Sequence, residues 1–206
     1  MPSRENSFVS RWRVPGTVDL VSAILLDAPG LAGWWPSLFR SIAPVREAGI
    51  DDIYEATAKG WMPYTVRRRF RVASFPPSST LRFEFVDNSA DCSECRLQQD
   101  GAAVVVSIET HVAPGSLASK LASLLFWPLY VANFRWIMAR GEESLSREIR
   151  RRLASNDAER DAVPPPPPPM SVRASWAMIV TVGLSVVVPG SLLLKWMGNR
   201  GGEERS

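Results

Sequence analysis

The sequence predicts an α+β fold in which a curved antiparallel sheet wraps a long C-terminal helix, followed by a proline-rich linker and a single transmembrane helix. Three observations predict it. Short strand-like segments separated by turn residues fill residues 41–112. An apolar stripe at helical spacing follows from Trp127 onward. Six consecutive prolines, Pro164 to Pro169, then separate this part from Ala174 to Leu194, 21 residues without a charge. Four regions result: a domain over residues 1–155, a linker over 156–173, a membrane helix over 174–196 and a polar tail over 197–206.

Composition narrows the function classes. The chain has 206 residues, 46% of them hydrophobic, which suits one packed domain with an appendage and excludes a mostly disordered chain. Lys and Arg number 24 against 21 Asp and Glu, a net charge of +3. The basic residues form short runs instead of one groove-sized face, so no nucleic-acid partner is expected. Two cysteines cannot build the disulfide framework of a small secreted fold.

The elements follow in order. Phe8 to Val14 alternates as a strand does, and Pro15-Gly16 ends it. Thr17 caps a helix over VDLVSAILLD, where Val18, Val21 and Leu25 share one face, and Pro29-Gly30 closes it. The short segment LAGWWPSLF follows. Strands are expected at Ser41–Glu47, Ile53–Lys59, Tyr64–Ala73, Thr80–Asp87, Cys92–Gln99 and Ala103–Val112. The breaks between them carry Gly, Pro, Asp and Asn, and Asp100-Gly101 is a hairpin signal. Short breaks imply antiparallel neighbours, hence a meander. The final helix carries its stripe on Trp127, Val131, Phe134, Met138, Leu145, Ile149 and Leu153, interrupted at Gly141 and Glu142. Arg140, Glu143, Arg147 and Arg151 fall on its other face. Pro128 starts the main part of this helix or kinks it. Such a stripe needs an apolar surface to lie on, and the sheet supplies it.

The segment at Ala174–Leu194 would span roughly 30 Å as a helix, about the thickness of a bilayer core. Arg173 and Lys195 bracket it, and Trp176 and Trp196 lie near its ends. The N-terminus lacks the apolar stretch of a signal peptide, so the expected arrangement is single-pass, with the N-terminal domain in the cytoplasm. The prolines are read as a polyproline II spacer of about 19 Å.

The opening strand ending Trp12-Arg13-Val14, the helix TVDLVSAILLD, the Trp34-Trp35-Pro36 segment and the closing pattern Asn133, Met138, Gly141, Leu145 resemble the SRPBCC or START-like superfamily. That is the helix-grip fold of polyketide cyclase/dehydrase-like proteins. The resemblance covers residues 8–153. It implies an apolar or aromatic small molecule or lipid held between sheet and long helix, in some members with cyclisation or dehydration and in others with binding alone. Fold alone does not choose between these.

Alternation from Tyr64 to Val72 puts Tyr64, Val66, Arg68, Phe70 and Val72 on the inner face and Arg67, Arg69 and Arg71 on the outer one. Arg68 is therefore a cation on an apolar face. It needs an anionic ligand group, a structural pair with Glu55 or Glu84, or an exit to solvent at the sheet edge. The other candidate cavity walls are Trp35, Trp61, Phe85, Tyr130 and Phe134, with Tyr64 and Tyr130 offering hydroxyls. His111 falls on the polar face with Ser107 and Glu109, which disfavours a catalytic imidazole. Cys92 and Cys95 lack the second pair a zinc site needs. No metal and no cofactor is expected. The sequence thus points to a membrane-tethered binding protein for an apolar ligand, with a cyclase or dehydratase, or a membrane-anchored interaction module, as alternatives.

Overall fold

The computed structural model describes residues 6–45, 53–75, 79–87, 91–112 and 117–181. Strand β1 (Asn6–Pro15) leads into helices α1 (Val18–Leu26) and α2 (Leu31–Trp34). Six strands follow: β2 (Phe39–Pro44), β3 (Tyr54–Ala58), β4 (Val66–Phe75), β5 (Thr80–Phe85), β6 (Cys92–Asp100) and β7 (Ala103–Val112). Helix α3 (Leu117–Leu153) and the short α4 (Asp157–Ala162) close the domain. The strands form one sheet in the order β1-β7-β6-β5-β4-β3-β2, antiparallel throughout. The expected meander is therefore present, and the opening strand closes onto its last member.

Local chemistry explains the turns that matter for the site. Gly16 adopts a positive φ of 111° and lets β1 turn into α1, whose first turn is capped by the Thr17 side chain. Gln99 locks the same corner: its Oε1 accepts from the Val18 N–H at 3.1 Å while its Nε2 donates to the Gly16 and Ala103 carbonyls at 3.0 Å. Gly101, at φ 61°, makes the tight β6–β7 hairpin. Strand β2 starts at Phe39, two residues earlier than the sequence suggests, because the Phe39 and Leu38 N–H groups both turn back onto the Trp35 carbonyl. Its Pro44 is tolerated because β2 is an edge strand.

The core lies between the sheet and α3, with α1 and α2 at one end. Trp12, Val14, Leu81, Val104 and Val106 rise from the strands to meet Ile137, Leu145 and Ile149 of α3. The interruption at Gly141 is the closest point of approach. A Cβ there would lie 2.5 Å from Trp35 Cζ2 and 2.7 Å from Trp12 Cη2. Only a glycine lets the helix backbone rest on the two indole rings, which meet edge to face at 5.3 Å between centroids. Leu153, the last residue of the predicted stripe, is exposed, since α3 has by then run past the sheet. Pro128 lies inside the continuous helix.

Two features downstream differ from a free spacer. Residues 157–162, inside the expected linker, form α4, capped by Asn156. The chain then runs back along α3. Arg147 donates to the Pro165 carbonyl, Arg151 to the Pro164 carbonyl at 2.7 Å, and Lys59 Nζ to the Met170 carbonyl at 3.5 Å. Pro167 is buried. A proline stretch lacks N–H donors but keeps every carbonyl, so it suits a row of arginines. Residues 172–181 are helical. Among the described residues no helix is long and apolar enough to cross a membrane. Most of the expected membrane helix and all of the polar tail, residues 182–206, lie outside the described residues.

Candidate functional site

A cavity of about 320 Å³ lies between the inner sheet face and the middle of α3. Strand alternation builds it. Val66, Arg68 and Phe70 of β4 and Phe83 and Phe85 of β5 point in from adjacent strands, as the sequence alternation predicts. Ala56, Cys95, Ile108 and Thr110 continue the floor across β3, β6 and β7. Tyr130, Phe134, Ile137 and Met138 of α3 form the roof, and Trp12 and Trp35 close the inner end. The Nε1–H groups of both tryptophans have no partner among the described residues.

Of the seven residues the sequence singles out, five line this cavity: Trp35, Arg68, Phe85, Tyr130 and Phe134. Two do not. Trp61 is buried, but in the loop after β3, where its backbone N–H donates to Asn133 Oδ1 at 2.9 Å. The Met62 N–H shares that acceptor at 3.4 Å. Tyr64 precedes the start of β4 and is half exposed, because pairing of β3 with β4 stops at Ala58 opposite Val66 and the intervening residues turn away from the sheet. Partial burial still pushes its hydroxyl pKa up.

The expected cation on the apolar face is present, but its partners are not those anticipated. Arg68 Nη2 donates to Asp91 Oδ2 at 2.9 Å, and its Nε lies 3.7 Å from Asp87 Oδ2. The guanidinium also sits 4.5 Å above the centre of the Phe85 ring. Glu55 and Glu84 are unavailable to it for a reason of register. Glu55 is paired directly opposite Arg69, and Glu84 opposite Arg71, so both acids share the outer face with those arginines. There they form ion pairs, Arg69–Glu55 at 3.7 Å and Arg71–Glu84 at 2.6 Å. The outward arginine stripe is thus partly neutralised.

Asp91 is the residue that sequence reasoning missed. It is 8% exposed and lies just before β6, at a break read only as a turn. The one available signal was its need for a partner near an inward arginine. Tyr130 joins the same group. Burial raises its pKa, the neighbouring Tyr64 and Asp91 push in the same direction, and Arg68 opposes them. The Tyr130 hydroxyl is therefore a neutral donor and acceptor at physiological pH. Ser93 and Thr110, also in the lining, share a hydrogen bond of 3.0 Å.

The remaining candidates fall where the sequence puts them. His111 sits outside the lining, on the outer face, 3.5 Å from Glu109. The two cysteines are free and face opposite sides of β6, as residues three apart on a strand must. Cys95 faces the cavity, and burial, followed by the nearby Glu94, pushes its thiol up to about 12, so it is protonated and not nucleophilic. Among the described residues no group of three or more His, Cys, Asp or Glu side chains could hold a metal.

No protein-family model and no curated protein matches the chain. Solved structures do. The Zhui aromatase/cyclase from Streptomyces sp. R1128 superposes with a TM-score of 0.57 at 14% identity, over 74% of this chain and 98% of that one. The protein TTHA0849 from Thermus thermophilus gives 0.54 at 15% identity, over 73% and 99%. A point mutant of norcoclaurine synthase from Thalictrum flavum, in complex with a transition-state analogue, gives 0.52 at 14% identity, over 75% and 99%. These likenesses show that the domain shares its fold, one antiparallel sheet packed on a long C-terminal helix, with those proteins.

Proposed function

We propose that this chain is a membrane-tethered binding protein that holds an apolar small molecule between sheet and α3. The observation that carries the reading is the cavity itself: about 320 Å³ walled largely by aromatic and aliphatic side chains, with few polar groups in its lining, among them Arg68, Tyr130, Ser93 and Thr110. Ligand sites in proteins have this character, apolar walls with a small number of orienting polar groups. The volume suits a molecule of two or three rings.

The test is titration of the purified full chain with a neutral fluorescent apolar probe, N-phenyl-1-naphthylamine. One probe per chain is expected, and Ala56→Phe, which fills the floor of the cavity, abolishes it. Absence of saturable binding, or binding unchanged by Ala56→Phe, sinks the reading.

The tether rests on the 21 uncharged residues from Ala174 to Leu194, bracketed by Arg173 and Lys195. With the N-terminal domain on the cytoplasmic side, the cavity would meet ligands that partition into the bilayer. Retention of the full chain in carbonate-washed membranes, with the domain open to protease from the cytoplasmic face only, is the expected outcome. Release into the soluble fraction would refute the tether without touching the cavity.

One observation favours an enzymatic second reading. Arg68 and Tyr130 both line the cavity, and Asp91 pairs with Arg68 at 2.9 Å from outside the lining; a cation and a neutral hydroxyl in one cavity are the kinds of group that stabilise a developing oxyanion and donate a proton. A solved structure with the same fold is named an aromatase/cyclase. Turnover of a poly-β-keto substrate, lost in Arg68→Ala and Tyr130→Phe, would establish this role; binding without turnover leaves the carrier.

A further inference from the structure

The antiparallel sheet has two ends, and the chain after α3 returns from one to the other. At the first lie the β6–β7 hairpin at Gly101, the turn at Gly16 and the last turns of α3. Ile149 Cγ2 comes within 3.4 Å of where a Gly16 Cβ would sit, and Arg152 lies 3.8 Å from Asp27. At the second lie the starts of β1 and β4, the residues just past β5, and Tyr130 beside Phe8 at 5.4 Å between ring centroids. The cavity opens at this second end. Val66 and Arg68 of its lining are part-exposed there, whereas Trp12, Leu25 and Leu31 at its inner end are buried.

Helix α3 ends at Leu153, at the closed end. A free linker would hang a membrane anchor from that end, with the cavity turned away from it. The strap reverses this. Arg151 holds the Pro164 carbonyl, Arg147, one helical turn back, holds the Pro165 carbonyl, and Lys59, just past β3, holds the Met170 carbonyl. The helical residues 172–181 therefore start beside the β3–β4 loop, at the open end.

Exposed apolar side chains gather on the same side. Tyr64 and Val86 are 48% exposed and Val66 38%, all at the open end. Val172, Trp176 and Val180, spaced by four and so on one helix face, are 56–57% exposed. Elsewhere among the described residues the exposed large apolar side chains are Val9, Leu26 and Leu153 alone. The uncharged run of 21 residues begins at Ala174, within this returning helix, which puts lipid next to the open end.

Given the tether proposed above, we propose that the open end of the domain rests on the bilayer surface, with Tyr64, Val66 and Val86 against the headgroups, and that the strap fixes this orientation. Tyrosine suits that interface, since its ring is apolar and its hydroxyl stays wet. An apolar ligand then passes between bilayer and cavity without crossing open water.

The test uses the full chain in phosphatidylcholine vesicles carrying a doxyl-labelled phosphatidylcholine as quencher. Cys92→Ser and Cys95→Ala remove the native thiols, and a nitrobenzoxadiazole dye is attached at Tyr64→Cys or, as control, at Ala102→Cys in the β6–β7 hairpin. The two positions lie roughly 30 Å apart along the strands at about 3.3 Å per residue, so position 64 should be quenched at least about twofold more than position 102. Adding Arg147→Ala and Arg151→Ala should erase that difference while the chain still floats with the vesicles. Thermal melts accompany each variant, and the comparison of positions 64 and 102 with the strap intact decides the matter even where the arginine variant does not fold. Quenching at 64 no greater than at 102 overturns the proposal. So does a difference unchanged in a folded arginine variant. Blue-shifted emission at 64 without doxyl quenching puts a second copy of the chain there instead of lipid, and also overturns it. A chain that does not float with vesicles at all overturns the tether itself.

Discussion

Replacing Gly141 with alanine tests how α3 is seated, and the structure supplies an internal control. In an open helix the change would help, since alanine is favoured over glycine by about 0.8–1.0 kcal/mol. At Gly141 the new methyl would lie 2.5 Å from Trp35 Cζ2 and 2.7 Å from two atoms of Trp12. Carbon atoms rest at about 3.5–4.0 Å, so helix and rings must separate by roughly 1 Å. Both rings are buried and cannot swing aside. Overpacking of this kind costs about 1–3 kcal/mol, and retreat of the helix also loosens Leu145 and Ile149. After the helix-propensity gain, a net loss of up to about 2 kcal/mol remains, a fall in Tm of up to about 8 °C for a chain of this size. Gly33 in α2 is the control, because a Cβ there meets nothing within 4 Å. Gly33→Ala should leave stability unchanged or raise it by up to about 1 kcal/mol. Thermal and urea melts followed by near-ultraviolet circular dichroism, which reports the packed tryptophans, read both variants. A Gly141→Ala chain that melts at or above wild type, or a Gly33→Ala chain that loses more, would refute the account of the helix–sheet contact.

Asn133→Ala should cost about 1–3 kcal/mol, since it leaves the Trp61 and Met62 N–H groups without their acceptor; a urea midpoint equal to wild type would contradict this. The Cys95 thiol is held up at about 12 in the folded state against an ordinary value of 9.0, so the unfolded chain loses its proton first. The stabilisation is complete below pH 9 and declines as the pH climbs from there toward 12, so Cys95→Ala should flatten the alkaline fall in Tm, with the raised Tyr64 and Tyr130 accounting for the part that persists. At pH 8 a thiol reagent should label half-buried Cys92 in the native chain and reach Cys95 only on unfolding, as peptide mapping would report. Replacing both Arg147 and Arg151 with alanine should release the proline strap, seen as faster tryptic cleavage at Arg173 with little change in the melt of the domain.

The fold is legible because its signals are local. Alternation in Val66–Val72 and Leu81–Phe85 assigns each side chain to a face without knowledge of its neighbours, and the structure keeps those faces. Pairing partners are a different matter. Which acid meets Arg68 depends on register across β3, β4 and β5, and register puts Glu55 and Glu84 outside. The true partner, Asp91, comes from a turn after β5, where periodicity carries no information. Trp61 and Tyr64 escape alternation for the same reason, since both sit in the loop between β3 and β4, whose course is set by Asn133 far along the chain. Stiffness alone makes the proline run a spacer, but its carbonyls find Arg147 and Arg151, whose helical spacing is local and whose meeting with residues 164–165 is not.

The gap in the apolar stripe at Gly141 and the cavity share one cause. From Gly141 to Ile149 the helix lies directly on Trp12, Trp35 and the sheet, and Leu145 and Ile149 are fully buried. N-terminal to that point, the large side chains Tyr130, Phe134 and Met138 face the sheet and are only partly buried, over a floor that includes Ala56. One helix therefore packs tightly over one half and spans a void over the other. A dry void forfeits the contacts that its lining would otherwise make, so a sequence that keeps Ala56 and Thr110 there leaves stability unrealised. A ligand seated there would restore those contacts, and RT ln(1 + [L]/Kd) of stability would return with it. Pushing the helix outward at Gly141 should enlarge the void as well as loosen the core, so Gly141→Ala should weaken binding of N-phenyl-1-naphthylamine along with lowering Tm. A variant that loses stability but binds the probe unchanged would separate the two halves of the helix and break this link.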